Sequence, residues 1–178
     1  MLLTEIAALD RVLEAHAGVL GGDFIGYRNH TYRVANLCWV LSGGEPAHLP
    51  RIAIAAAFHD LGIWTDRTLD YLEPSSRLAG AHLIEAGRTE WAPEITAMIL
   101  EHHKLSRHRP EAYRLVEPFR RADWVDVSMG VLTFGLQRTL LREVYEVWPS
   151  AGFHRRLVQL SLQRWRSHPL SPLPMMRL

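Results

Sequence analysis

"AIAAAFHDLGIW", residues 53–64, is apolar on every face as far as Phe58 and then sets His59 beside Asp60. Four alanines favour a helix, and the lack of polar alternation argues against a half-buried strand. A helix with no polar face must be covered on all sides, so other helices have to pack around it. The expected class is all-α. An ionised carboxylate isolated in such a core costs many kcal/mol unless it is paired or coordinated, so the His-Asp pair needs partners from elsewhere in the chain.

The flanking sequence reads as helices on both sides. Residues 3–18 put Leu3, Ile6, Leu9, Val12 and Leu13 on one stripe, with Thr4 as N-cap and Gly18, Gly21 and Gly22 as the stop. A second helix is expected from Asp23 through Val40, ending at "SGGEP", and the quoted stretch belongs to a third, Leu49 to Gly62. Ser75 or Ser76 can cap a fourth that runs to Gly87, and Pro93 opens a fifth to about Lys104. The sixth spans about Pro110 to Val127 with a bend near Pro118, and two more cover Leu136–Val147 and Phe153–Ser167. Residues 1–168 then form one helical domain. The Pro-rich tail 169–178 is expected to be extended, packing on the body or mediating contacts.

Composition bounds the function. At 178 residues, 48% hydrophobic, 22% charged and a net charge of +1, the chain has enough apolar residues for one core and no basic run for a nucleic-acid polymer. Lys104 is the only lysine among 20 basic residues; the arginine bias suits an anionic ligand, and base composition of the gene can also produce it. Cys38 stands alone in "VANLCWVL", so no internal disulfide forms, and a cytoplasmic location is the expectation. Thr4, Glu5 and Asp10 interrupt the N-terminal apolar positions, and no run approaches the ~18 apolar residues of a membrane span, so no membrane association is expected.

Metal-ligand residue types interrupt the apolar faces at His30, His59-Asp60, His82, His102-His103 and Asp123, each cluster on a different expected helix. Imidazole with carboxylate is the mixed nitrogen and oxygen set that suits Fe, Mn, Co, Ni or Zn, and a shared site answers the question of the buried His-Asp pair.

"YRNHTYRV", "AAAFHDLG", "ILEHH" and "RRADWVD", in that order over about residues 23–127, resemble the HD superfamily of metal-dependent phosphohydrolases, all-α proteins named for the adjacent His and Asp. The resemblance implies that His30, His59, Asp60 and Asp123 hold one metal. In members with two metals the Asp of the pair bridges, and His82, His102 and His103 match the additional ligands. It implies hydrolysis of a small-molecule phosphate ester, such as a nucleotide, by metal-activated water, with Asp60 and His59 as catalytic residues. The Lys and the Gly-Tyr-Pro run of the HD-GYP phosphodiesterases are missing from "HDLGIW" and "EHHKLSRHRP", which argues against cyclic-dinucleotide cleavage. The same frame also resembles the mixed-valence diiron oxygenases, for which Asp23 and Tyr27 loosely match residues upstream of the first ligand. A non-catalytic metal-dependent binding or regulatory module is the third alternative.

Asp126, one turn beyond Asp123, is the rival for the last ligand; Asp123 is preferred because the family's final Asp follows a small residue, here Ala122. Arg33, Arg77 and Lys104 are candidate substrate-binding cations. Trp64, Trp91, Trp124 and Tyr27 are expected in the core or as pocket walls. His16, His48, His108, His154 and His168 lie outside the pattern and are expected on the surface. An Arg- and Trp-rich helical surface is also compatible with a homodimer.

Overall fold

The computed structural model describes residues 2–108 and 112–176. The longer helices are α1 (Ala7–Ala15), α2 (Phe24–Leu41), α3 (Leu49–Phe58), α4 (Leu72–Glu85), α5 (Ala92–Glu101), α6 (Val116–Val127), α7 (Arg138–Val147) and α8 (Phe153–Ser167). Single turns at Ala17–Leu20 and Gly62–Thr65 join them, and no strand forms among the described residues. The chain is all-α, as the sequence implies.

The alanine-rich α3 lies at the centre, with Ile52 through Phe58 all buried against α1, α2, α4 and α5. Its alanines leave little side chain between helix axes, which lets four neighbours approach one short helix. The closest-knit pair is α2 with α6. Twelve residues of α2 are buried, including the polar Asn29, His30, Thr31, Arg33 and Asn36, so this helix carries polar groups through the core and has to pair them there.

Three expected boundaries move, and one expected bend does not form, for identifiable reasons. Residues before Ala7 are not helical because side chains of α2 capture their backbone: Leu3 N–H donates to Asn36 Oδ1 at 2.7 Å and Ile6 N–H to the Tyr32 hydroxyl at 3.0 Å. Thr4 therefore caps nothing, and α1 begins after Ile6 without a side-chain cap. The third helix ends at Phe58, which leaves His59 and Asp60 in a turn and not in mid-helix. Pro74 and Pro118 each sit in a first helical turn, where no intrahelical N–H is lost, so α4 starts before Ser75 and α6 is not bent at Pro118. The expected start of the sixth helix at Pro110 lies outside the described residues.

The C-terminal segment is expected as an extended strip, and it does pack on the body. Met175 is buried in the main core, and Pro172 through Met176 face α8 across a cavity. No helix among the described residues is long and apolar enough to cross a membrane.

Candidate metal centre

The helix ends build the site. His59 and His102 each follow the last residue of a helix, α3 and α5, where carbonyls are left without intrahelical donors. His59 Nδ1–H donates to Ala56 O at 2.8 Å, and His102 Nδ1–H donates to Ile99 O at 2.6 Å. A carbonyl can only accept, so in both rings Nδ1 carries the proton and Nε2 presents a bare lone pair. His30, in the middle of α2, has Nδ1 2.6 Å from Asp126 Oδ2, which fixes the same orientation.

The three Nε2 atoms meet two carboxylates. His30 Nε2 and His59 Nε2 are 2.9 Å apart, each is 3.5 Å from Asp60 Oδ2, and each is 3.7 Å from Asp123 Oδ1. The opposite oxygens face a second group: Asp60 Oδ1 lies 3.4 Å from His102 Nε2, and Asp123 Oδ2 lies 3.6 Å from His103 Nδ1. The two carboxylates thus divide their oxygens between one histidine pair and the other. Ligands about 2.1 Å from one ion lie roughly 3.0–3.5 Å from each other at octahedral or tetrahedral angles, close to these spacings.

The chemistry of the donor set points the same way as the distances. Asp60 Oδ1, both Asp123 oxygens and His102 Nε2 are buried without a hydrogen-bond partner. Every one of them accepts and none donates, so another water-sized dipole satisfies them poorly while a cation satisfies them together. Of the three buried aspartates Asp60, Asp123 and Asp126, Asp126 alone is paired with a guanidinium, that of Arg33, which leaves the Asp60 and Asp123 charges unmatched when the imidazoles are neutral. His30-His59-Asp60 and Asp60-His102-His103 can each hold a metal ion, and Asp60 belongs to both groups.

Charge states follow from the same arrangement. Burial opposes ionisation of Asp60 and Asp123, but the surrounding imidazoles outweigh it and hold both below the usual carboxylate range. Burial lowers His30, yet the Asp126 and Asp60 carboxylates lift it to about 9, so without a metal a proton takes up part of the positive charge the site demands. His103 is pushed down to about 4 by burial and by neighbouring His102, which keeps its ring neutral and able to coordinate. Its Nε2 is 2.7 Å from the Tyr71 hydroxyl, and burial with the nearby carboxylates holds that phenol protonated.

A scaffold behind the cluster fixes His30. Arg33 grips Asp126 in a bidentate pair through Nε and Nη2, and its Nη1 donates to the carbonyls of Trp148 and Pro149. The Tyr145 hydroxyl donates to Asp126 Oδ1 at 2.9 Å, and Arg33 and His30 hold that carboxyl well below its ordinary range after overcoming burial. Phe153 lies flat on the His30 ring, centroids 4.0 Å apart. Gly26, one turn earlier on α2, permits this: a Cβ there would stand 3.1 Å from Ala151 O and 3.3 Å from Phe153 N.

Of the seven expected ligands, His30, His59, Asp60, His102, His103 and Asp123 come together. His82 does not. It is half-buried on α4 with its ring 5.3 Å from Phe58, and it belongs to neither group that could hold an ion. None of the three expected substrate cations lines the cavity that contains Asp60 and His103. Arg33 is fully buried and paired with Asp126, so it reaches no solvent. Arg77 is exposed and pairs with Asp66 at 3.2 Å, and Lys104 pairs with Glu101 at 3.0 Å. Asp23 accepts from Trp64 Nε1 at 2.9 Å and is ion-paired with Arg156, whose Nε lies 2.9 Å away, while the Tyr27 hydroxyl donates to Ala57 O, so neither joins the cluster. Asp126 is taken up by Arg33, His30 and Tyr145, while both Asp123 oxygens are left without a hydrogen-bond partner beside the histidines.

Sequence reasoning missed Tyr71, Phe153 and His154. His154 is half-buried between Asp126 O at 2.8 Å and Ser150 Oγ at 2.8 Å, and it lines the cavity in front of the cluster with Tyr71 and Trp124. Nothing in their local spacing announces them, because all three reach the site through tertiary packing. That cavity, about 600 Å³, has Asp60 and His103 at its polar end. The chain matches no family model, no curated protein and no solved structure.

Proposed function

We propose that the chain is a metal-dependent hydrolase of the HD type that acts on a small-molecule phosphate ester. The observation that carries this reading is the set of buried acceptors without donors on Asp60, His102 and Asp123, gathered with His30 and His59 behind a cavity large enough for a small substrate. Two ions fit the division of the carboxylate oxygens. His30, His59, Asp60 Oδ2 and Asp123 Oδ1 would hold one; Asp60 Oδ1, His102, His103 and Asp123 Oδ2 would hold the other. The donor set suits Fe, Mn, Co, Ni or Zn.

A divalent cation bound there supplies Lewis acidity, making water nucleophilic near neutral pH and neutralising phosphate charge. The protein's own residues set up that chemistry. Asp60 and His59 hold the reacting centre at the cavity end, and Asp126 with Arg33 keeps His30 in its ligating orientation. Tyr71 orients the His103 ring, and the aromatic surfaces of Phe153 and Phe119 keep bulk water from the ligands.

A second reading, an HD-type diiron oxygenase on the same ligands, is favoured by one observation: among the described residues no Lys or Arg lines the cavity, so nothing but the metal would neutralise a phosphate. The first experiment is elemental analysis of the purified protein beside Asp60→Ala. Two equivalents of transition metal in the parent and less than half an equivalent in the variant are expected. Phosphate release from a panel of esters, lost in Asp60→Ala, supports hydrolysis; iron-dependent oxygen uptake without phosphate release replaces it with the oxygenase. Ligand binding with neither activity leaves a binding module.

A further inference from the structure

The walls of the cavity differ in kind from its end. Beyond Asp60, His103 and the Tyr71 hydroxyl, it is lined by Ile63, Leu69, Trp124 and Val127 on one side and by Leu157, Val158, Leu162 and Trp165 of α8 on the other. The Pro-rich segment closes the third side with Pro172, Leu173, Met175 and Met176. Single exposed apolar residues mean little, but here Val158 (58% exposed), Leu162 (48%) and Trp165 (58%) surround one opening whose far end is the ligand cluster. The polar side chains in the lining are otherwise His154 and Ser161, and both His154 nitrogens are already engaged.

We infer that the substrate is amphipathic, its reacting anionic group at Asp60 and His103 and an aliphatic or aromatic body lying between α8 and the 172–176 segment. The inference rests on the hydrolase reading for its reacting group and on the lining for its body. A sugar or nucleoside body would leave its hydroxyls against Leu, Val and Met side chains without partners, which costs more than the contact returns. A hydrocarbon body loses only its contact with water. The volume of about 600 Å³ falls within the range that encloses a small organic ligand, so the site can take the whole body and not just a methyl group. The arrangement also gives the Pro-rich segment a purpose. It folds back across α8, burying Met175, and supplies soft, adaptable methionine surface to the cavity.

The test uses n-butyl-, n-hexyl- and n-octylphosphonate as monomers, titrated calorimetrically into the full-length protein supplied with manganese. The P–C bond is not hydrolysed, so binding is read apart from turnover. Each methylene buried tightens binding roughly fourfold, so octyl should bind on the order of a hundredfold more tightly than butyl. Val158→Lys and Leu162→Lys, at half-exposed positions that the fold does not depend on, should flatten that dependence to under about tenfold while metal content stays at the parent value. Absence of binding, affinities independent of chain length, or full chain-length dependence in both lysine variants overturns the inference. So does a parent dimer that either variant converts to monomer with no chain-length dependence in the parent, because the opening is then an interface between copies. Phosphate release from n-octyl phosphate is measured separately. Chain-length dependence without release removes the hydrolase reading and leaves the apolar body in place.

Discussion

Asp123 and Asp126 stand one turn apart on α6, both buried, yet they meet the His/Asp cluster differently. The difference lies in what each meets: Asp126 is saturated by Arg33, His30 and Tyr145, while both Asp123 oxygens lack a hydrogen-bond donor. Arg33 therefore acts through Asp126 on His30, and its replacement should damage stability and metal affinity before it touches substrate affinity. Arg33→Lys breaks the bidentate geometry and leaves a buried carboxylate short of donors, which should destabilise the protein by about 3 kcal/mol in urea unfolding. Loosening the support of one ligating imidazole should weaken metal binding by roughly 10–100-fold. A rise in KM with stability and metal content unchanged would return Arg33 to the role of substrate cation.

At the level of the element, the turn after α3 depends on a missing side chain. Gly62 N–H donates to Ser75 Oγ at 2.9 Å, and a Cβ at Gly62 would stand 2.7 Å from Tyr71 O and 2.9 Å from Pro74 Cβ. Backbone cannot yield as a flexible side-chain tip does, so Gly62→Ala must push α4 away from the His59-Asp60 turn. The expected loss is about 1–3 kcal/mol, with weakened metal retention, measured by chemical denaturation and elemental analysis. The start of α6 is held electrostatically: Glu117 accepts from Arg120, Arg121 and the His108 N–H, so it ties the segment after α5 to α6. Those donors, after overcoming partial burial, lower its carboxyl from 4.5 to about 2. A depressed folded-state value means this stabilisation is fully present above pH 4.5 and fades as pH falls through about 2. Glu117→Gln should thus be less stable than the parent at pH 6 and lose less on acidification to pH 3, read from urea midpoints at the two values. Equal midpoints for parent and variant at pH 6 would show that the contacts contribute nothing.

For the molecule as a whole, the ligand cluster joins α2, α3, α5 and α6, so charge balance at one point bears on the packing of four helices. A metal that binds only the folded state adds about 2.7 kcal/mol at a hundredfold excess over Kd, which corresponds to roughly 5–10 °C in Tm for a chain of this size. Chelation should lower Tm by that amount, and readdition of manganese or zinc should restore it. A melting temperature indifferent to chelator and metal would mean that protons and internal pairs satisfy the cluster unaided.

The sequence by itself determined the helices and singled out most of the residues that the fold gathers into one buried His/Asp cluster. Periodicity and alanine content are local properties, and a His-Asp pair at the end of an all-apolar run is anomalous wherever the chain places it. The same local reasoning identified His30, His102, His103 and Asp123 as polar interruptions on apolar faces. It also counted His82, which interrupts its own helix in the same manner, because periodicity locates a residue on its helix and not the direction in which that helix turns it. Tertiary structure decided that His82 packs on Phe58, that Arg33 is spent on Asp126, and that Leu3 and Ile6 bond to α2 in place of a helical turn. It also decided that residues 153–176, far along the chain from the ligands, form the walls in front of them. These outcomes depend on contacts between residues distant in sequence, whose energies are comparable to local preferences and leave no periodic trace in the chain.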